Sequence, residues 1–193
     1  MKVVAFNGSP RRKGNTYYAI QMVFKELKKE GIKTELIQLG GAQIKGCKAC
    51  FVCFKKKDKR CVQNDKLNMF IEKMSEAEGI IIGSPTYFSN VSTEVKALID
   101  RAGLVARAND HLFKRKVGAA VVAVRRAGAT HVYSSINFFF GIGHMIVPGS
   151  SYWNLGIGFN PGDILKDKEG IATFRDLGRN MAWLLKKLYG KAK

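Results

Sequence analysis

All four cysteines of the chain fall within fifteen residues, as Cys47-x2-Cys50-x2-Cys53-x7-Cys61. Three thiols at successive three-residue steps can bend round a compact inorganic cluster, and a fourth, one loop away, can close the cage. The pattern suits a 4Fe–4S cluster better than one zinc ion, because four-cysteine zinc sites usually come as two separated C-x2-C pairs. A redox dithiol and a set of free thiols are the other readings of the same residues. Structural disulfides fit poorly, since the N-terminus offers no secretory signal and a reducing compartment keeps thiols apart. The run Lys55-Lys56-Lys57-Asp58-Lys59-Arg60 lies between the last two cysteines and would offset the charge of a thiolate-bound cluster.

A second chemistry-bearing stretch opens the chain. The apolar run Val3-Val4-Ala5-Phe6 leads into Asn7-Gly8-Ser9-Pro10-Arg11-Arg12-Lys13-Gly14-Asn15-Thr16, and a helical pattern follows at once. Such a strand–turn–helix joint aims free backbone N–H groups and the positive end of the helix dipole at one point, which suits a phosphate. Ser9, Asn15 and Thr16 add short side-chain donors, and Arg11 and Arg12 add charge. Asn15 or Thr16 as an ordinary helix cap is the plain alternative. The turn is neither a Walker A loop, which needs a lysine after its second glycine, nor the G-x-G-x-x-G dinucleotide fingerprint.

A third stretch, Gly83-Ser84-Pro85-Thr86-Tyr87-Phe88-Ser89-Asn90, follows the wholly apolar Ile80-Ile81-Ile82. Pro85, Thr86, Tyr87 and Phe88 can offer backbone amides and an aromatic face to a flat heterocycle, and Ser89 and Asn90 can bond its edge. Paired with the phosphate turn, this loop implies a ligand with a phosphate at one end and a ring at the other. Flavin mononucleotide, FMN, fits that description.

These stretches need a frame that brings them together. Apolar periodicity predicts a helix from the turn to Gly31, a strand over Thr34–Leu39, a helix over Asp65–Ala77 and a strand at 80–82. A helix over Thr93–Arg107, a strand over Val117–Val124 and a helix over 130–143 come next. A short fifth strand is expected at Met145-Ile146-Val147, then a loop rich in glycine and aromatics over 148–162, and a final helix over Ile171–Tyr189. The alternation predicts an α/β fold, a doubly wound five-stranded parallel sheet with helices on both faces. Ligands bind such sheets beyond the carboxyl ends of the strands, where loops 7–16, 84–90 and 125–130 all lie. The 193 residues read as one domain, 1–193, with a cysteine-rich insertion at about 46–61.

Composition agrees: 46% apolar and 25% charged residues suit a globular chain, and no apolar run approaches the ~18 residues of a membrane helix. A cytoplasmic location is expected. The formal charge of +18 is spread along the whole length without a helix-turn-helix, RRM or zinc-finger pattern. Docking of an acidic electron carrier is therefore a better expectation than nucleic-acid binding. His111, His131 and His144 read as structural, and no hydrolytic set of side chains stands out.

The quoted residues together resemble a known family. Asn7-Gly8-Ser9-Pro10-Arg11 with Gly14-Asn15-Thr16, Gly83-Ser84-Pro85-Thr86-Tyr87, and Lys96-Ala97-Leu98-Ile99-Asp100-Arg101 resemble the flavodoxin-like NADPH-dependent FMN reductases. The compact cysteine motif with Val62 and Asp65 resembles the iron–sulfur flavoprotein branch, as do Lys116–Ala120, Gly143–Val147 and Asn160-Pro161. The resemblance implies a flavodoxin-like fold, one FMN per subunit, and a homodimer or dimer of dimers with flavins near the interfaces. It also implies a 4Fe–4S cluster held by Cys47, Cys50, Cys53 and Cys61, fed by a ferredoxin-type donor. Ser9, Arg11, Asn15 and Thr16 would bind phosphate, and Pro85, Thr86, Tyr87, Phe88 and Asn90 the ring and ribityl chain. The third loop departs from the branch, reading Arg125-Arg126-Ala127-Gly128-Ala129 where glycines are usual, so its contacts stay open.

The functional expectation is an FMN-dependent oxidoreductase that passes electrons from a low-potential donor, through the cluster, to FMN and on to dioxygen, peroxide or another carrier. No protein acid–base residue is expected to be indispensable, because the flavin supplies the chemistry. A cluster-free NAD(P)H-dependent FMN or quinone-type reductase is the alternative. A basic electron-carrying module with no turnover of its own is the second.

Overall fold

The computed structural model describes residues 1–190. Five strands, β1 (Lys2–Asn7), β2 (Lys33–Gln38), β3 (Gly79–Pro85), β4 (Val117–Val124) and β5 (Leu155–Ile157), form one parallel sheet in the order β2-β1-β3-β4-β5. Six helices connect and cover them: α1 (Asn15–Lys29), α2 (Val52–Lys56), α3 (Leu67–Glu76), α4 (Thr93–Ala108), α5 (Ala129–Ile142) and α6 (Lys168–Tyr189).

The central strands are apolar throughout because both their faces are covered, and successive side chains alternate between those faces. Val4, Phe6, Ile80, Ile82, Ala120 and Val122 join the core under α3, α4 and α5. Val3, Ala5, Ile81, Val117, Ala119, Val121 and Ala123 join the core under α1 and α6. The small residues of β4 let its covering helix sit close, and Gly118 lies against the Phe140 ring of α5.

The fifth strand differs from the sequence expectation. Residues 145–147 make a single parallel bridge, Val117↔Ile146, in which Ile146 N donates to Lys116 O and Gly118 N to Ile146 O. Pro148 has no N–H to continue that ladder, and the chain leaves the sheet. It returns at Leu155–Ile157 to pair with Val122–Val124. Two short segments thus share one edge of β4. The second of them ends on the carboxyl side of the sheet, delivering the residues after Ile157 to the ligand end. No described helix is long and apolar enough to cross a membrane.

Candidate functional site

The turn after β1 is packed too tightly for most side chains. A Cβ on Gly8 would stand 2.3 Å from Val95 Cγ2 and 2.7 Å from Gly83 O, so the turn lies directly on α4 and β3. Ser9 is 3% exposed and doubly committed, its N–H donating to Asn7 Oδ1 at 3.2 Å and its Oγ accepting from Arg11 N at 3.2 Å. Gln38 Nε2 donates to Ser9 O at 2.7 Å, tying β2 to the same turn. Helix α1 then starts from Gly14 with no side-chain cap and no acidic residue in its first turn. Its first N–H groups and positive dipole end are therefore left for an anion.

Beside this turn lies a cavity of about 250 Å³. Ser9, Arg11, Asn15 and Thr16 form one wall, and Pro85, Thr86 and Tyr87 form another. The end of β4 contributes Ala123, Val124 and Arg125, and the segment after β5 contributes Gly158 and Phe159. Thr86 N donates to Ala123 O at 2.9 Å, which fixes the second loop against β4, while Thr86 Oγ1 is buried with no hydrogen-bond partner. An orphaned hydroxyl at a cavity wall suits a ligand atom. The Arg125 guanidinium sits 4.5 Å from the Phe159 ring centroid, closing one side of the cavity with a cation–π contact.

Seven of the eleven residues expected to bind a cofactor line this cavity, and four do not. Arg12 is exposed on the turn, its carbonyl accepting from Asn7 Nδ2. Phe88 is fully exposed, and both Phe88 and Ser89 adopt left-handed backbone, φ +47° and +59°. Ser89 packs under Gly128, and Asn90 pairs with Tyr87 across the loop through backbone bonds of 2.9 and 3.0 Å. Asn15 also reaches away from the turn, its Oδ1 accepting from Gly162 N and Ile164 N at 3.0 and 3.3 Å. Gly158 and Phe159 escape sequence reasoning because the apolar pattern puts the fifth strand at 145–147 rather than 155–157. The signal available was the glycine and aromatic content of the 148–162 loop.

The second cluster of chemistry-bearing residues surrounds another, smaller cavity. Cys47, Cys50, Cys53 and Cys61 all line it, together with Arg101, Leu104 and Val105 of α4. All four thiols are free; Cys47 and Cys50 are exposed, Cys53 and Cys61 half-buried. Cys53 lies on the short helix α2, between left-handed residues at Phe51 and Lys57 that turn the segment back on itself. Among the described residues, no three His, Cys, Asp or Glu side chains converge closely enough to hold a single metal ion. The thiols share a wall without closing on a point. Burial pushes the Cys53 thiol up from its ordinary pKa.

Behind the thiols, the Arg101 side chain is wholly buried. It makes a two-pronged ion pair with Asp65, Nη1 to Oδ2 at 2.6 Å and Nη2 to Oδ1 at 3.0 Å. Its Nε donates to Cys61 Sγ at 3.4 Å. Burial is the largest single influence and would weaken both charges, but their mutual bond, together with the Leu67 and Lys45 N–H groups on Asp65 and the Cys61 sulfur beside Arg101, outweighs it: the Asp65 carboxyl is held below its ordinary pKa and the Arg101 guanidinium above its own.

Comparison with known proteins gives the family of the chain. Residues 1–160 match the family model of NADPH-dependent FMN reductases. An iron-sulfur flavoprotein of Methanocaldococcus jannaschii is 38% identical over 193 aligned residues, covering 96% of this chain and 98% of that one. An iron-sulfur flavoprotein of Methanosarcina thermophila is 33% identical, covering 96% and 95%. Among solved structures, an archaeal flavodoxin superposes with a TM-score of 0.63 at 17% identity, covering 96% of this chain and 99% of that one. With its 2-1-3-4-5 parallel sheet, its uncapped turn beside an open cavity and its four clustered thiols, the chain belongs to the iron–sulfur flavoprotein branch of the NADPH-dependent FMN reductase family and is a flavin-dependent oxidoreductase of flavodoxin-like fold.

Proposed function

We propose that the protein is an FMN-dependent redox enzyme that takes electrons from a low-potential, ferredoxin-type carrier by way of a 4Fe–4S cluster and FMN, and passes them to dioxygen, peroxide or another carrier. The observation that carries this reading is the convergence of all four cysteines on one cavity against α4. The first turns of that helix pack under the phosphate turn at the other site. Ser92, which precedes the first residue of α4, and Arg101 are nine residues apart, so these two points are offset along the helix axis by about 14 Å.

The residues present fit both groups. The uncapped start of α1, free of acids, suits a phosphate, with Ser9, Arg11 and Thr16 around it and Arg12 adding charge from the exposed turn. The unpartnered Thr86 Oγ1 suits a polar atom of the ring or ribityl chain, and Pro85, Tyr87 and Phe159 supply apolar walls for the ring. Four thiols with a buried guanidinium behind them suit a cluster whose thiolate ligands carry negative charge. Bound there, FMN and cluster supply one- and two-electron redox chemistry; the protein contributes binding, orientation and electrostatics.

The partners follow from the surface. Lys55, Lys56, Lys57, Lys59 and Arg60 are all exposed beside the cysteines, which supports docking of an acidic carrier such as ferredoxin. The fully exposed Phe88, with Tyr87 next to it, supports a homodimer or dimer of dimers that covers the flavin loop. Exposed free thiols suit the cytoplasm. That no three His, Cys, Asp or Glu side chains among the described residues close on a single metal point favours one alternative, a cluster-free NAD(P)H-dependent reductase.

Flavin, iron and acid-labile sulfide per chain, measured on protein purified without oxygen, test the proposal. One FMN with the iron and sulfide of one 4Fe–4S cluster is expected. Flavin without iron, with rapid NADPH oxidation, selects the cluster-free reductase instead. Turnover with a soluble acceptor and no partner protein is expected of an enzyme and not of a carrier module.

A further inference from the structure

Arg101 is the largest fully buried side chain among the described residues, and its three nitrogens bond to the cysteine segment and the residues flanking it. Nη1 donates to Lys45 O at 2.9 Å and to Asp65 Oδ2; Nη2 donates to Asp65 Oδ1 and to Gln63 O at 3.5 Å. Lys45 precedes the first cysteine, and Gln63 and Asp65 follow the last. The planar fork therefore closes the base of the segment like a clasp. That leaves Nε–H with one remaining direction, and it faces Cys61 Sγ at 3.4 Å.

A clasp alone does not require this arrangement. Holding two chain ends together needs no charge, and burying a guanidinium costs free energy that an apolar residue of similar size would avoid. What the charge adds is a fixed positive potential, and one N–H, at a single sulfur of the four. Hydrogen bonds and positive charge at a ligand sulfur stabilise the more negative, reduced state of a cluster. We propose that Arg101 is a positioning residue that sets the reduction potential of the centre held by Cys61, with Asp65 orienting the guanidinium and partly offsetting its charge. This inference rests on the cluster reading above. The two carboxylate bonds and two carbonyl bonds fix the guanidinium plane, so the Nε–H direction is not free to drift.

The test is potentiometric titration of the cluster, followed by its spectroscopic signal, in the anaerobically purified wild type and in R101Q, R101K and D65N. Iron and sulfide are assayed in each, and thermal melts of the cluster-free chains report the clasp separately. R101Q is expected to titrate more negative: at a fixed poise its ratio of reduced to oxidised cluster falls about tenfold, a shift of about 59 mV for one electron. R101K, which keeps the charge but not the Nε–H, is expected between R101Q and wild type. D65N, which leaves the guanidinium less neutralised, is expected to shift the other way. Wild-type potentials in iron-loaded variants would overturn the inference, and so would loss of the cluster from all three variants, which would leave Arg101 a clasp only. Absence of iron from the wild type would instead overturn the cluster reading itself, and with it this inference.

Discussion

Asn15, the first residue of α1, accepts a hydrogen bond from the backbone N–H of Gly162 at 3.0 Å, joining the turn after β1 to a loop 147 residues away. The same Oδ1 accepts from Ile164 N, and Ile164 is completely buried. One side chain thus closes the wall of the cavity that the segment after β5 supplies. Replacing Asn15 with Ala leaves two backbone donors unpaired, which costs about 1–3 kcal/mol. Chemical denaturation should show that loss, and FMN titration should show at least a tenfold weaker affinity, because the loop that carries Gly158 and Phe159 is released.

Thr86 separates the needs of the free chain from those of the flavin-bound one. Its hydroxyl has no partner within the chain, so T86V removes a buried polar atom that is not satisfied. The cluster-free, flavin-free chain should be as stable as wild type or slightly more so, while FMN affinity falls about five- to tenfold, the equivalent of one hydrogen bond of about 1 kcal/mol. A melt and a fluorescence titration on the same preparation check both signs.

Gly158 has no room for a side chain. A Cβ there would stand 2.7 Å from Ile164 N and 2.8 Å from Asn15 Nδ2, both on the bonded framework of the cavity wall. G158A should therefore weaken FMN binding by tenfold or more and lower stability by about 1–3 kcal/mol, the range for overpacking a closed site. Titration and denaturation check it. G149A, at a position with open space around it, is the matched control and should change neither.

Glu26 gives the fold a pH dependence distant from either site. It is 4% exposed on α1 and bonded by Lys29 Nζ at 2.8 Å, with Arg179 of α6 at 3.7 Å. The bond from Lys29 outweighs the burial that opposes it, so the carboxyl is held below its ordinary pKa of 4.5. A folded-state value below the unfolded one means stability that is fully present above the unfolded value and lost as pH falls through the folded one. Denaturation of the wild type should show this loss on acidification below about pH 4.5, and E26Q should flatten the profile while costing about 1–2 kcal/mol at neutral pH.

The basic surface beside the thiols should govern encounter with a carrier. Reversing Lys55, Lys56 and Lys57 to Glu is expected to slow reduction by an acidic ferredoxin about tenfold at low salt. The effect should shrink strongly at about 0.5 M salt, where charges a few ångströms apart are already screened. Stopped-flow reduction rates at two ionic strengths measure it.

Local pattern was enough for much of this molecule. Covered strands must be apolar along their whole length, so 3–6, 80–82 and 117–124 declared themselves, and the alternation of strand and helix dictated a parallel sheet with loops 7–16 and 84–90 at one end. The spacing of Cys47, Cys50, Cys53 and Cys61 likewise marked four thiols in one short stretch as candidates for a common site, and the fold of that stretch brings them to one cavity. Tertiary structure decided what local pattern could not. Residues 145–147 and 155–157 are both short segments with apolar ends, and in the fold the first makes one bridge at Val117 before Pro148 while the second pairs with Val122–Val124 as the strand. That choice carries Gly158 and Phe159 to the cavity and gives Asn15 its partners. Arg101 reads as one basic residue on an amphipathic helix until packing buries it. Its bonds to Asp65, Cys61 and the carbonyls of Lys45 and Gln63 span 36 to 56 residues of sequence, and contacts that distant leave no periodic trace in a chain.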